Sequence, residues 1–340
     1  MATATPTRTA ASTFATAIFV LVSGCTPDPD PCAEAGNICT VMGTGDMGYN
    51  GGGLPAIETW LYLPITVEFT PDGTPLIVDY NNNVIRELRD TQAVTVAGIG
   101  FHDYSVLGGD ALESPLENPI DARYGPDGLL YILPAHESRL LRVGDTNKIE
   151  VVVGTGDEGY TGDGGPATLA TFGQPSSFDI DDSGTIWIAD TKNGALRRIG
   201  TDGVVTTALS GLGAPQRVRA EGDSIFVCDP LSSTIIRYQP TTAASEVVLD
   251  ELLAPWGFEV GPDGSWYVAD SGNAQILRIR DGEREVFAGT GEAGFSGDEG
   301  PATEAMLSWP SDIAIDDAGS VYITDMQNAR VRKIAGDGLD

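Results

Sequence analysis

Six prolines in this chain are each followed by a pair of residues that changes from one proline to the next. They are Pro64, Pro119, Pro175, Pro215, Pro255 and Pro310. The pairs include two carboxylates, one guanidinium, one amide and one indole, at Asp121, Asp312, Arg217, Gln216 and Trp256. If these groups converge, they suit a polar or sugar-like ligand. The other interpretation is that polar residues line the mouth of a water-filled channel.

Catalysis requires more than this set of side chains. No nucleophile can be paired with a general base from the spacing of the residues. The chain has two histidines, His102 and His136, and both fall in irregular stretches of the sequence. We therefore predict no catalytic residue, no metal site and no resident cofactor.

The elements that position these residues repeat along the chain. A 21-residue spacing from a glycine to a proline occurs four times, and we call residues 43–64, 98–119, 154–175 and 289–310 the long segments. An aromatic residue stands six positions after each glycine, and an alanine stands thirteen after it. The aromatic residues are Tyr49, Tyr104, Tyr160 and Phe295. Self-similarity at a fixed period indicates one supersecondary unit used many times.

Each proline opens a unit of four short runs rich in Val, Ile and aromatic residues. Turns with Asp and Gly, such as Pro262 to Gly264, separate the runs. Six units of four strands are typical of a β-propeller. The sixth unit ends after its third strand, at residues 330–334, while a spare strand precedes the first unit at residues 38–42. We predict an all-β, six-bladed β-propeller of four-stranded antiparallel blades over residues 38–340, its ring closed by the N-terminal strand completing the last blade.

This topology places the long segments and the loops between strands two and three on one face, which we call the top face. Their length makes it the expected binding surface. Acidic turns occur at Asp163 and Asp298, but Gly52 and Leu107 stand at the same register in the other two segments. A repeated calcium site is therefore not expected there, and the aromatic residue of each segment is predicted to pack between blades.

Arginines recur in the third strand of every unit, seven or eight residues after the end of the second strand. They are Arg86, Arg142, Arg197, Arg237, Arg278 and Arg332. In five units the second strand ends in aspartate, and the second unit has Leu133-Pro134 instead. We predict a structural ring in which each arginine pairs with an aspartate.

The N-terminus has the composition of a secretory signal. Residues 1–24 contain one base, no acid and a short apolar stretch. The small residues before Cys25 resemble the lipobox of bacterial lipoproteins, which implies that Cys25 is lipidated and, with Thr26 after it, that the anchor is in the outer membrane or at the cell surface. Residues 25–37 are predicted to be a tether. Cys32 and Cys39 are expected to form a disulfide, and Cys228 to be a buried thiol.

The charge limits the partners. The chain has 49 acidic and 19 basic residues and a net charge of −30, so nucleic acid is excluded as a partner because phosphate binding depends on Lys and Arg. Contact with a membrane is expected only through the lipid anchor.

The repeated phrases resemble the NHL-repeat propellers, of the bacterial secreted or lipoprotein type. The similarity covers about residues 38–335 and is carried by phrases such as IWIADTKNGALRRI and YVADSGNAQILRI. The second and fourth units depart from it, because the second lacks the strand-two Asp and the fourth lacks the Asn of the Asp-x-x-Asn loop.

Two classes of enzyme are similar to this family in fold. Peptide-amidating lyases hold zinc through several histidines, which two histidines cannot supply. Propeller lactonases of the gluconolactonase and regucalcin type hold calcium through carboxylates and amides, and Asp121, Gln216 and Asp312 are the matching residue types here. The Glu and Asn positions of that family are not matched in this sequence.

Two functions follow from the sequence. The first is a non-catalytic extracytoplasmic module that binds protein or glycan at the cell envelope, with Asp121, Gln216, Arg217, Trp256 and Asp312 around the top of the axis. The alternative is a calcium-dependent lactonase or hydrolase of the gluconolactonase-like propeller type.

Overall fold

Each unit of the repeat forms one antiparallel sheet, and six sheets follow one another along the chain. The structure is a computed structural model that describes Met1 and residues 31–336. The predicted signal from residue 2 onwards, the predicted lipidation site Cys25 and the predicted tether as far as residue 30 lie outside the described residues. The all-β, six-bladed propeller predicted from the sequence is confirmed.

The strands of the first three blades run in chain order from the axis outwards. Blade 1 contains Pro64–Phe69, Pro75–Asp79, Val84–Arg89 and Gln92–Ala97, with Leu54–Pro55 added at its outer edge. Blade 2 contains Pro119–Tyr124, Leu130–Pro134, Leu140–Val143 and Ile149–Val153. Blade 3 contains Ser177–Ile180, Ile186–Asp190, Ala195–Ile199 and Val205–Ser210.

The remaining blades have the same order, except that blade 6 takes its outer strand from the N-terminus. Blade 4 contains Arg217–Glu221, Ser224–Asp229, Thr234–Gln239 and Ala244–Leu249. Blade 5 contains Phe258–Val260, Trp266–Asp270, Gln275–Arg280 and Glu283–Ala288. Blade 6 contains Pro310–Ile315, Val321–Asp325, Arg330–Ile334 and Asn37–Met42, with Gly300–Pro301 at its edge.

The helices are single 3-10 turns. One precedes the closing strand, three lie in the long segments and four lie in the loops between strands two and three. They span Pro31–Ala33, Ala56–Glu58, Tyr80–Asn82, Ala167–Leu169, Thr191–Asn193, Ser271–Asn273, Ala302–Glu304 and Met326–Asn328. Within residues 31–336 no helix has the length and apolar character needed to cross a bilayer.

The N-terminal strand closes the ring, as the sequence predicts. Asn37–Met42 pairs antiparallel with Arg330–Ile334 of blade 6. Cys39 of this strand forms a disulfide with Cys32, which precedes the strand, and their Cα atoms are 5.7 Å apart. Cys228 is buried, as expected, and its thiol donates to the carbonyl oxygen of Pro255.

One apolar cluster fills the space between each pair of neighbouring blades. The clusters consist mainly of Val, Ile, Leu and Ala from the middle strands. Because each sheet buries both faces against its neighbours, stability depends on the whole ring rather than on one central core.

The glycine and alanine that mark each long segment have a shared structural role. The four glycines have positive φ, and the amide of each donates to the carbonyl of the alanine thirteen residues later, with N to O distances of 2.8 to 3.0 Å. A Cβ atom on Gly43 would lie 2.3 Å from the carbonyl oxygen of Ala329. Only glycine therefore allows the start of the first long segment to pass so close to the loop of blade 6 that contains Ala329.

The aromatic residue of three long segments lies over a buried arginine of the blade that follows, rather than only packing between blades. Tyr49 covers Arg86, Tyr160 covers Arg197 and Phe295 covers Arg332. Asp163 and Asp298, the acidic turn residues, pair with Arg197 and Arg332 at 2.8 and 2.7 Å. The acidic turns thus hold a guanidinium.

The predicted pair between a third-strand arginine and the aspartate that ends the second strand forms in three of the six blades. Three arginines are buried and pair with the aspartate seven residues earlier: Arg86 with Asp79, Arg197 with Asp190, and Arg332 with Asp325. The other three pair with exposed glutamates of the outer strand: Arg142 with Glu150, Arg237 with Glu246, and Arg278 with Glu285. The prediction is wrong for Arg237 and Arg278, whereas Arg142 also lies 3.7 Å from an aspartate of its own blade, Asp127. All three arginines come one residue later in the strand, and one residue moves a side chain to the opposite face of the sheet.

We expect Arg197→Met to reduce the free energy of unfolding by about 3 to 5 kcal/mol, because it removes one partner of a buried ion pair and leaves Asp190 uncompensated. The matched control is Arg237→Met, whose pair with Glu246 is 41% and 57% exposed and is worth about 0 to 1 kcal/mol. Urea unfolding of both variants measures the difference, and equal losses would contradict this assignment.

Candidate functional site

The inner strands present two layers of side chains to the propeller axis. Side chains alternate between the two faces of a strand, so residues two and four after each proline project to the same side. The first layer holds Thr66, Asp121, Ser177, Arg217, Gly257 and Asp312. The second holds Glu68, Arg123, Asp179, Arg219, Glu259 and Ala314. We call the charged members the axial ion cluster: Glu68, Asp121, Arg123, Asp179, Arg217, Arg219, Glu259 and Asp312.

Arg217 joins three other blades across the axis. Its Nη2 lies 2.6 Å from Asp312 Oδ2 and 2.7 Å from Glu68 Oε1, and its Nη1 lies 3.2 Å from Asp121 Oδ1. The Arg217 side chain is 5% exposed. Its guanidinium therefore occupies the position between Asp121 and Asp312 that a bound cation would take.

Two further arginines complete the cluster in the second layer. Arg123 lies 2.5 Å from Asp179 and 3.0 Å from Glu68. Arg219 lies 2.8 Å from Glu259 and also pairs with Glu68. Three guanidiniums thus converge on the carboxylate of Glu68, which provides a strong hydrogen-bonding centre for the axis.

The carboxylates of the first layer also bind backbone amides of neighbouring strands. Asp121 accepts hydrogen bonds from the Ser177 hydroxyl at 2.8 Å and from the Phe178 amide at 3.1 Å. Asp312 accepts one from the Val67 amide at 3.2 Å. These contacts fix the inner strands of adjacent blades to one another.

Burial raises the pKa values of the acidic side chains in the cluster, and the neighbouring arginines lower them. Burial raises the pKa of Asp312 to about 7, although Arg217 and Arg219 act to lower it. Burial also raises the pKa of Glu259. At Glu68 burial acts to raise the pKa, but the guanidiniums of the three arginines prevail and lower it to about 2.

The space above the cluster is small. The axial cavity has a volume of about 10 Å³, which is the room that one water molecule needs. Gln216, Trp256 and Ser176 line it, together with Arg217 and Asp312 below. Larger hollows of about 440 and 460 Å³ lie between the Asp-Gly turns at the opposite end of neighbouring blades.

The structure therefore divides the predicted axial residues into two groups. Asp121, Arg217 and Asp312 lie together in the ion cluster, whereas Gln216 and Trp256 line the cavity above it. Sequence reasoning stopped at the first layer and missed the second. The signal was available, because the fourth residue after five of the six prolines is charged, with alternating sign from Glu68 to Glu259.

The two histidines, which are far apart in sequence, meet on one carboxylate at blade 2. His102 Nε2 lies 2.9 Å and His136 Nδ1 lies 2.7 Å from Glu117 Oε1. Glu117 is 4% exposed. Among the described residues no three ligating side chains are arranged to hold a metal ion. The contact joins the second long segment to blade 2.

The top face also forms as predicted. The loop asparagines Asn82, Asn193 and Asn328 donate to carbonyl oxygens of the first, third and fourth long segments, at 2.6 to 2.8 Å.

A family model described as the teneurin NHL domain matches residues 36–219. The chain belongs to the teneurin NHL domain family. Teneurin-1 of Mus musculus is 26% identical to this NHL chain over 379 residues, which cover 88% of the chain and 13% of that protein. The NHL chain thus spans a small part of the relative it matches.

Solved structures share the fold of this NHL propeller. An auxiliary nutrient binding protein from Bacteroides thetaiotaomicron has a TM-score of 0.66 at 15% identity, over 88% of this chain and 76% of that one. A gluconolactonase from Xanthomonas campestris has a TM-score of 0.59 at 13% identity, over 87% and 88%. Identity this low shows that the fold is shared and nothing more.

We expect the free energy of unfolding of the NHL propeller to fall as the pH rises from about 4 to about 7. The pKa values of Asp312 and Asp325 are raised to about 7 and about 6, so each group holds a proton in the folded state alone from about pH 4 up to its own folded-state pKa and loses it as the pH rises through that value. We expect Asp312→Asn to reduce the change in the free energy of unfolding over this pH range by about 2 to 4 kcal/mol. The control Asp145→Asn, at an exposed position, leaves that change as it is in the wild type. Urea unfolding at several pH values measures both slopes, and parallel slopes for the wild type and Asp312→Asn would contradict the assignment.

Proposed function

We propose that this chain is a non-catalytic binding module, carried outside the cytoplasm on a lipid anchor, that recognises a protein or a glycan through the top face of its NHL propeller. The observation that carries this proposal is the axial ion cluster. Its three guanidiniums pair with its carboxyl groups across the axis and leave room for about one water molecule. The charged side chains at the axis therefore have a structural role, and a ligand binds to the surface of the top face around them.

The long segments support this role for the top face. They lengthen the spacing from one unit-opening proline to the next from 40 residues to 55 or 56, and length of this kind in an ordered loop is typical of binding surfaces. The solved neighbour described as an auxiliary nutrient binding protein is consistent with a binding role.

The proposed location rests on the N-terminal sequence. A secretory signal over residues 1–24 followed by Cys25 supports lipidation at that cysteine and an outer-membrane or cell-surface location in a bacterium. The disulfide between Cys32 and Cys39 fits an oxidising compartment.

Mass spectrometry of the N-terminal peptide tests the anchor. We expect the mature chain from the native host to begin at Cys25 and to carry acyl groups, and Cys25→Ser to appear in the soluble fraction. A mature N-terminus at any other residue, or an unmodified Cys25, would refute the lipid anchor.

The lactonase alternative rests on a specific observation. Asp121 and Asp312 flank the axis, and a gluconolactonase shares the fold. Against it stands Arg217, which already provides the positive charge between the two carboxylates. Calcium prefers six to eight oxygen ligands at 2.3 to 2.6 Å, as a general rule, and a guanidinium in that position opposes its binding.

Calcium titration by calorimetry separates the two functions. We expect no heat of calcium binding and no calcium-dependent change in Tm for the wild-type protein. A single site that is lost in the Asp121→Asn and Asp312→Asn double variant, together with lactone hydrolysis inhibited by EDTA, would replace the binding module with the enzyme.

A further inference from the structure

The four long segments differ in how much apolar side chain they expose. Large apolar residues that are at least one-third exposed number eleven in the first two segments, against three in the other two. Those in the first two are Met47, Tyr49, Ile57, Trp60, Tyr62, Ile99, Phe101, Tyr104, Val106, Leu107 and Leu112. In a repeat that is otherwise symmetrical, such a concentration marks an interaction surface.

Contacts between the two segments make this one surface. The ring of Tyr49 lies against the backbone of Gly100, where a Cβ atom would come within 2.5 Å of it, and Trp60 lies beside Gly48. Phe101 follows Gly100 directly and is 63% exposed, and Tyr104 is 66% exposed. We call the surface formed by Tyr49, Trp60, Phe101 and Tyr104 the aromatic patch.

The second segment lacks the arginine that its aromatic residue covers elsewhere. In blades 1, 3 and 6 the ring six residues after the glycine lies over a buried guanidinium. In blade 2 the same register in the third strand holds Leu141, so Tyr104 has no guanidinium of its own blade beneath it. Tyr104 is also the most exposed of the four rings.

A buried acidic group without a full set of hydrogen bonds contacts Ser105, the residue that follows Tyr104. Glu137 replaces the asparagine of the loop between strands two and three and is 1% exposed. Its Oε1 accepts a hydrogen bond from the amide of Ser105, whereas its Oε2 accepts none from the described residues. The guanidinium of Arg139 lies 4.0 Å away and donates instead to the carbonyl of Thr155. A buried carboxylate of this kind favours an added cation.

The first two long segments are acidic, and the bases near them come from the blades: Lys148 pairs with Asp110 at 3.8 Å and Arg330 donates to the carbonyl of Thr44. The first two long segments contain Asp46, Glu58, Asp103, Asp110, Glu113 and Glu117, and neither contains a lysine or an arginine. Arg86, the guanidinium beneath Tyr49, is fully buried. A cationic partner is therefore attracted to the patch, and the faces of its aromatic rings bind guanidinium groups.

We infer that the aromatic patch binds an arginine-rich segment of a partner protein, with one arginine placed against Tyr104 and Glu137 of blade 2. The bound arginine would complete in blade 2 the arrangement of aromatic ring, guanidinium and carboxylate that blades 1, 3 and 6 build from their own residues. This inference rests on the proposed binding function and names its partner class.

The test is fluorescence anisotropy with a labelled hexa-arginine peptide, at about 0.15 M salt so that the long-range field of the acidic chain is screened. We expect the double variant Phe101→Ser and Tyr104→Ser to weaken binding by about tenfold or more, as truncation of interface hot spots does. The control is Leu169→Ser with Leu231→Ser, which are 68% and 74% exposed and lie outside the patch. Both double variants leave the net charge unchanged, and equal binding by the two would overturn the inference.

A second pair of variants tests the carboxylate. Glu137→Gln and Glu158→Gln each remove one negative charge. Glu137 is buried beside the second long segment, whereas Glu158 is exposed on the third and pairs with Lys192. We expect only Glu137→Gln to weaken binding of hexa-arginine, and equal effects would show attraction by net charge alone. Thermal unfolding of each variant checks that the fold is retained. Phe101 and Tyr104 are exposed, so their double variant tests the inference even if the substitution of the buried Glu137 destabilises the fold.

Parallel titrations with a hexaglutamine peptide and with maltohexaose distinguish this inference from the proposed function. Binding of either one at the aromatic patch, with no preference for hexa-arginine, would overturn the arginine-rich partner and leave the binding module in place. Lactone hydrolysis that depends on calcium, without peptide or glycan binding, would overturn both.

Discussion

Closure of the ring by the N-terminal strand is the interaction on which the rest of the structure depends. A blade buries its faces only against its two neighbours, so an open array would leave two apolar faces in water. The closing strand supplies Ile38 to the interface between blades 5 and 6, and Met42 to the interface between blades 6 and 1. It also places Gly43 on the loop of blade 6 at Ala329, which sets the path of the first long segment. The disulfide between Cys32 and Cys39 lies at the entrance to this strand.

The sequence contained most of the fold, because the signals are local and repeated. Glycines, prolines and strand-ending aspartates occur at fixed spacings, and each has a local role, such as the amide of Gly98 that donates to the carbonyl of Ala111. Spacing also determines the face on which a side chain lies. The difference between Arg197, seven residues after its aspartate, and Arg237, eight after, separates a buried pair from an exposed one.

The candidate site was less predictable because its contacts join residues far apart in the chain. Arg217 is separated from Glu68 by 149 residues and from Asp312 by 95. The strand period shows that these residues face the axis, but it does not show which charges meet there. The same holds for His102 and His136, whose meeting on Glu117 depends on how the second long segment folds back on blade 2.

The axial ion cluster has a consequence for the way the chain reaches its native state. Linear solenoids add their units one at a time, each new unit gaining full contacts from the last. Here Arg217 of blade 4 finds its carboxylates on blades 1, 2 and 6, so a partly assembled ring leaves buried charges without partners. The pairing of Arg217 is therefore complete only when blades 1, 2, 4 and 6 are all in place, so it favours the closed ring over any partial one.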